Sequence, residues 1–249
     1  MNIYRHFAGV YDAFMTDMPY KHWAGYIDEV FQHYKVPKNG LVLDLACGTG
    51  TMAFLMSKKG YDIIGVDTSE DMLSEAYSKD YIKTPLFLKQ DMRILDLYGT
   101  IDAAYASCDG MNYLLTEDDF LQTLKRIALF LNPGGVFIFD VKMEHRYKIL
   151  GSGTYHDEVE NASYIWKNSY NPATCINEYN VHFFVDQQDF IETHLQRAYS
   201  NETIKSLVAK AGLQLLNVMD NYSNIPAKSD SERLTYIVQY PQSQDAVQY

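Results

Sequence analysis

The feature that most constrains this 249-residue chain is an alternation of short apolar runs with amphipathic segments across its first 142 residues. Runs at 41–45, 63–66, 86–88, 101–106 and 136–141 are too short for helices and lack the polar alternation of half-exposed strands. Helical spacing fills most of the gaps. One segment, 51–59, is closed by Gly60; another opens at Thr68-Ser69-Glu70-Asp71 with Met72, Leu73 and Ala76 on one side. A third is capped by Thr116-Glu117-Asp118-Asp119 and carries Phe120, Leu124, Ile127 and Leu131 along one face. Upstream, Tyr20, Trp23, Ile27, Val30, Phe31 and Tyr34 mark a helix that starts near Pro19 and ends before Pro37 and Gly40. Apolar strands that alternate with helices predict a mostly parallel sheet covered on both faces, an α/β fold.

From about residue 158 the period changes to two. Tyr164 and Trp166, and then Tyr179, Val181, Phe183 and Val185, alternate with other residues around the turn at Asn171-Pro172. Three antiparallel strands are expected near 160–169, 176–185 and 190–199, forming a small β cap inserted after strand five. A helix at 201–211 and strands at 213–218 and 233–240 return to the sheet, which then has seven strands. The polar ending PQSQDAVQY is expected to fray.

Composition narrows the function. A net charge of −11 opposes polyphosphate and offers little counterion release, so a nucleic-acid partner is not expected. Three widely spaced cysteines without a C-x-x-C pair predict neither disulfides nor a metal site. No signal pattern or membrane-length apolar run appears, which reads as a cytoplasmic protein.

The stretch 42–53, VLDLACGTGTMA, contains Gly48-Thr49-Gly50-Thr51-Met52-Ala53, a match to the dinucleotide pattern G-x-G-x-x-G/A. Glycines at a strand-to-helix turn admit backbone amides to a ligand in more than one fold, so the loop alone does not select a cofactor. Its neighbours do. Asp44 precedes the loop, Asp67 ends the second strand and Asp91 follows the third. Three acids on successive strand ends repel a pyrophosphate and favour a cationic nucleoside such as S-adenosylmethionine.

With Gly65-Val66-Asp67, Gln90-Asp91-Met92, Tyr20-Lys21-His22-Trp23 and Asn132-Pro133-Gly134-Gly135, the segment Val42 to Gly50 resembles class I S-adenosylmethionine-dependent methyltransferases over roughly residues 4 to 142. It is most similar to the small-molecule branch that includes glycine N-methyltransferases and to bacterial relatives opening with Phe7-Ala8-x-Val10-Tyr11-Asp12. The resemblance implies a Rossmann-like seven-stranded sheet with its last strand antiparallel. The expected domain plan is a core over residues 1–143 with N-terminal lid helices, a cap over 144–200 on the acceptor side, and a return to the core over 201–249. Ala46, Gly48 and Gly50 would flank the methionine part of the cofactor, Asp44 its ammonium and Asp67 the ribose. Asp91 and the Met92 amide would read the adenine, Cys108 with Asp109 would lie under the cofactor, and Tyr11 and Trp23 would close over it. An arginine that relatives carry later in the first long helix is absent, since the chain reads Phe31-Gln32-His33.

The expected activity is N- or O-methylation of a small molecule by in-line displacement. The rivals are an NAD(P)-dependent oxidoreductase, a macromolecule-directed methyltransferase and a non-catalytic S-adenosylmethionine-binding module. An amine acceptor needs only to arrive neutral; a hydroxyl acceptor wants a base, for which His182, His194 and Tyr199 are candidates. Both histidines read more simply as surface residues of the cap. Arg197 is a candidate for a substrate carboxylate or a surface ion pair.

Overall fold

The computed structural model describes residues 8–159, 162–185 and 188–242. Phe7 and the end of the polar tail, from residue 243, lie outside them. Two helices come first, α1 (Ala8–Phe14) and α2 (Tyr20–His33), followed by β1 (Leu41–Leu45), α3 (Thr51–Lys58), β2 (Asp62–Asp67), α4 (Glu70–Ser78), β3 (Leu86–Lys89) and β4 (Ile101–Ala106). The core continues through α5 (Glu117–Phe130) and β5 (Leu131–Lys142). After α6 (Glu144–Leu150) come β6 (Thr154–Val159), β7 (Ala162–Asn171), β8 (Ile176–Val185) and β9 (Gln188–Arg197). The chain closes with α7 (Asn201–Lys210), β10 (Gln214–Asp220) and β11 (Arg233–Gln239).

The seven-stranded sheet has the order β10-β11-β5-β4-β1-β2-β3. Strands β1 to β5 pair in parallel, while β11 runs antiparallel to both β5 and β10. The order reverses between β1 and β4, so a crevice opens at the carboxyl ends of those strands. Alternate residues of each strand face opposite layers, as the two-residue period requires. Leu43, Leu45, Ile64, Val66, Ala104 and Phe139 pack against Phe120, Leu124 and Ile127 of α5 and Ile204, Leu207 and Val208 of α7. On the opposite face Val42, Ile63, Ala103, Tyr105 and Ile138 meet Trp23, Ile27 and Phe31 of α2 and Met52, Ala53 and Met56 of α3. Burying both faces explains why these strands read as continuous apolar runs.

Helix starts follow the capping logic of the sequence. The Ser69 side chain accepts the Met72 amide, and Thr116 accepts that of Asp119.

The second sheet is four-stranded and antiparallel, ordered β6-β7-β8-β9. The sequence predicted three of these strands. Strand β6, TYHDEV, is a largely exposed polar edge paired with β7 in the register Tyr155 to Trp166, so it carries no buried face to reveal it. Helix α6 was likewise not anticipated.

Close approach of strands is visible at Gly65, where a Cβ would lie 2.5 Å from the Phe87 ring and 3.0 Å from Cys47 Sγ. Gly65→Ala is therefore expected to destabilise the chain by roughly 1–3 kcal/mol through overpacking. Addition of Phe87→Leu is expected to recover part of that loss, as read from urea-denaturation midpoints.

Candidate active site

The crevice at the switch point is a cavity of about 510 Å³, within the roughly 300–1,000 Å³ usual for small-ligand sites. The loop after β1 forms its floor. Ala46, Gly48 and Gly50 all take positive φ, 58°, 53° and 72° respectively. An added Cβ at Gly48 would meet no protein atom within 4 Å, so the glycine leaves its backbone open to the cleft.

Asp67, at the end of β2, holds this loop. Its Oδ2 accepts the Gly48 amide and its Oδ1 the Ser69 amide, both at 2.9 Å. The Thr68 amide also bears on it, and a carboxylate with about four lone-pair sites still has room for a further donor. Burial pushes the Asp67 carboxyl above its usual range, although those amides pull it back.

Asp91, in the turn after β3, also lines the cleft. It accepts the Arg93 amide at 2.9 Å and is gripped by the Arg93 guanidinium, which holds its carboxyl below the usual range. Met92 and Cys108 lie in the same wall. The lining carries three acids, Asp67, Asp91 and Asp119; among the described residues its one base is Arg93, already bound to Asp91.

The N-terminal helices cover the loop. Asp12 accepts the Thr49 hydroxyl at 2.6 Å and pairs with Lys79, which also donates to the Thr49 carbonyl at 2.7 Å. Tyr11 and Tyr20 reach the cleft, and the Tyr20 hydroxyl lies 3.8 Å from Cys108 Sγ. Burial pushes the Tyr20 hydroxyl far above its usual range.

Four residues expected at the cofactor, Trp23, Asp44, Gly50 and Asp109, are not in the cleft wall; Gly50 backs onto Tyr81, Ala76 and Phe87 and turns the chain into α3. Trp23 sits on the buried side of α2, stacked on Tyr222 at 5.0 Å and 5.2 Å from the Arg233 guanidinium; Tyr20, one turn earlier, reaches the cleft instead. Asp44 shares its strand face with Val42, facing the α2 and α3 layer, and is buried beneath the loop. Its Oδ2 and the hydroxyl of its neighbour Tyr105 are buried together, the hydroxyl facing the carboxyl. Burial pushes the Asp44 carboxyl up to about 8, against the pull of the Tyr105 hydroxyl and the Ala53 amide and helped by the nearby charge of Asp67.

The candidates in the cap divide sharply. His182 is on the outer face, paired with Asp189 at 2.8 Å and remote from the cleft wall. Tyr199 spends its hydroxyl on the carbonyls of Leu114 and Thr116, at 2.5 and 2.9 Å, and burial pushes it far above the usual range; it fastens a loop and is not placed as a base. Arg197 donates to the Leu115 carbonyl at 3.0 Å in the same fastening. His194, expected at the surface, is buried at 5% exposure, with Nδ1 3.3 Å from the hydroxyl of Tyr113, itself a cleft residue.

Behind Cys108 lies a cluster that the sequence did not disclose. Asp109 meets Lys142 at 2.8 Å and Arg233 at 2.6 Å, and Arg233 also pairs with Asp140. Burial works against the Asp109 carboxylate, yet the two cations hold it well below its usual range. Gln196 of β9 donates to Asp109 at 3.2 Å and joins Lys142 and Tyr147. The cluster thus ties the ends of β4, β5 and β11 to the second sheet. Only Asp109 had a sequence signal, its place after Cys108; Lys142 and Arg233 had none.

Residues 42–135 match the family described as a methyltransferase domain. A putative methyltransferase, YqeM, of Bacillus subtilis (strain 168) is 35% identical over 244 residues, covering 95% of this chain and 97% of that protein. The crystal structure of an S-adenosylmethionine-dependent methyltransferase from Clostridium acetobutylicum superposes with a TM-score of 0.84 at 30% identity, covering 96% and 99% of the two chains. A glycine/sarcosine N-methyltransferase of Halorhodospira halochloris is 26% identical over 60% of this chain and 61% of its own length. The chain belongs to the S-adenosylmethionine-dependent methyltransferases.

The residues present fit that cofactor. An acid-rich wall with its one base engaged suits a sulfonium and an ammonium and is hostile to a pyrophosphate, and Gly48 leaves room for the ligand to approach the backbone.

Asp44 gives the site a pH signature. Its carboxyl titrates near 4 in the unfolded chain and at about 8 in the folded one, so between those values the folded state holds the extra proton. Stability is then lost as pH rises through about 4 to 8 and levels off above. Asp44→Asn is expected to flatten this decline in the ligand-free protein, checked by denaturation midpoints across pH; parallel curves for variant and wild type would show that Asp44 does not titrate there.

Proposed function

We propose that the chain transfers a methyl group to the amino group of a small molecule, with the cofactor seated on the loop after β1 and the acceptor entering between that loop and the second sheet. In this reading Asp67 takes the ribose hydroxyls. Asp91 and the Met92 amide read the adenine edge, and Ala46 and Gly48 present backbone to the methionine part. Tyr11 and Tyr20 exclude water from above, Cys108 lies below, and Asp44 supports the floor from beneath. Trp23 holds α2 in place from behind the wall.

The observation that carries the acceptor side is the inner face of β9. Glu192, His194 and Gln196 are all buried there, directly behind cleft residue Tyr113 and the Asp109 cluster. Polar side chains on a buried strand face are costly unless they have partners, and here they meet the wall of the cleft. Residues 144–200 therefore act as the acceptor side, with 1–143 and 201–249 as the cofactor core. The name of the Halorhodospira relative, with glycine and sarcosine as acceptors, supports a small amine.

Bound in the cleft, S-adenosylmethionine supplies a methyl group already activated on a sulfonium. The protein's own work is alignment and exclusion of water. No helix among the described residues is long and apolar enough to cross a membrane. With three free cysteines and a net charge of −11, a cytoplasmic enzyme without a nucleic-acid substrate is the reading we adopt.

The test is transfer of radiolabel from S-adenosylmethionine to a panel of glycine, sarcosine and glucosamine, with cell RNA and protein as competing acceptors. Label in at least one amine, matched by S-adenosylhomocysteine, is the expected outcome. Label confined to RNA or protein would overturn the small-molecule reading.

A further inference from the structure

Tyr113, His194 and Glu192 form a line running from the cleft into the fold. Tyr113 lies in the short turn Gly110–Tyr113 after β4 and contributes to the cleft wall. Its hydroxyl is 3.3 Å from His194 Nδ1, and His194 Nε2 is 3.3 Å from Glu192 Oε2. His194 and Glu192 are 5% and 8% exposed, two residues apart on the same inward face of β9. An Nε2–H tautomer suits these two contacts: a carboxylate accepts from Nε2, and Nδ1 presents its lone pair to the tyrosine hydroxyl.

We propose that this line is a proton relay that neutralises the acceptor's ammonium before methyl transfer; it rests on the amine acceptor proposed above. A protonated amine has no lone pair with which to attack a methyl carbon, so one N–H bond must break first. The ammonium proton passes to Tyr113 Oη as the phenolic proton passes to His194 Nδ1. The products are a neutral amine with a free electron pair, a neutral tyrosine and an imidazolium whose positive charge faces Glu192. One positive charge moves from the acceptor to His194, and no atom is lost. Tyr113 is the catalytic residue, since it alone of the three reaches the cleft. His194 and Glu192 act through it. An ordinary packing role does not require polar side chains at two successive inward positions of β9, aligned end to end with a tyrosine of the cleft wall.

The full chain, labelled with 15N-histidine and loaded with S-adenosylhomocysteine, tests the relay by NMR. His194 is expected as the Nε2–H tautomer, with an Nδ1 resonance that moves in Tyr113→Phe and stays in place in Asp189→Asn, whose carboxylate pairs with His182 on the outer face. A proton on Nδ1, or a resonance indifferent to Tyr113→Phe, would overturn the proposal. With glycine, sarcosine and glucosamine as acceptors, Tyr113→Phe is expected to lower kcat about a hundredfold, and Glu192→Gln about tenfold, with KM for S-adenosylmethionine unchanged. Unchanged kcat in folded Tyr113→Phe would also overturn it. If none of the three amines accepts a methyl group, the acceptor class fails, and the tautomer with its response to Tyr113→Phe still decides the relay.

Discussion

The arrangement of this molecule depends on a buried balance of charge. Asp109 and Asp140 face Lys142 and Arg233 where β4, β5 and β11 end, and Gln196 carries the network into β9. Removing one partner would leave an uncompensated charge in the interior, at a cost of roughly 3–5 kcal/mol. The turn after β4 is thereby locked to β5 and β11. Asn112 strengthens the joint by donating to the carbonyls of Lys142 and Arg197 and accepting the Lys142 amide. The second sheet is thereby held at a fixed place beside the cleft.

The same logic runs through the cofactor end. Asp67 binds the glycine loop to the end of β2, and Asp91 caps the turn below β3 while engaging Arg93. Each acid is both a structural tie and a part of the wall. The acidity of the cleft is therefore built into the way its loops are fastened. It also explains why the dinucleotide pattern at 48–53 misleads: the glycines answer a need for close backbone approach, and the charge around them selects the ligand.

Much of this was legible from the chain. Strand ends that alternate with capped helices placed Asp67 and Asp91 in one crevice, because in a parallel sheet all carboxyl ends lie on one side. What escaped was side-chain direction. Asp44 discriminated between cofactors on paper, yet its strand face turns it under the floor with Val42, and the acids of the wall carry the discrimination instead. Trp23 and Tyr20 lie one turn apart on α2 and only Tyr20 reaches the cleft. In β9 the amphipathic rule is inverted: Ile191 points out at 68% exposure while Glu192, His194 and Gln196 point in. Reading apolar as inward therefore places His194 on the wrong face. The edge strand β6 and the partners Lys142 and Arg233 left no periodic trace, since they are defined by contacts across the fold.

The central claim is that the cleft seats a cationic nucleoside through Asp67. Calorimetric titration of S-adenosylhomocysteine and of NAD into the wild type and Asp67→Ala tests it most directly. S-adenosylhomocysteine should bind the wild type and lose about ten- to hundredfold in affinity in Asp67→Ala, equivalent to about 1.5–3 kcal/mol, while NAD gives no binding heat. Preferential binding of NAD, or unchanged S-adenosylhomocysteine affinity in a folded Asp67→Ala variant, would contradict it.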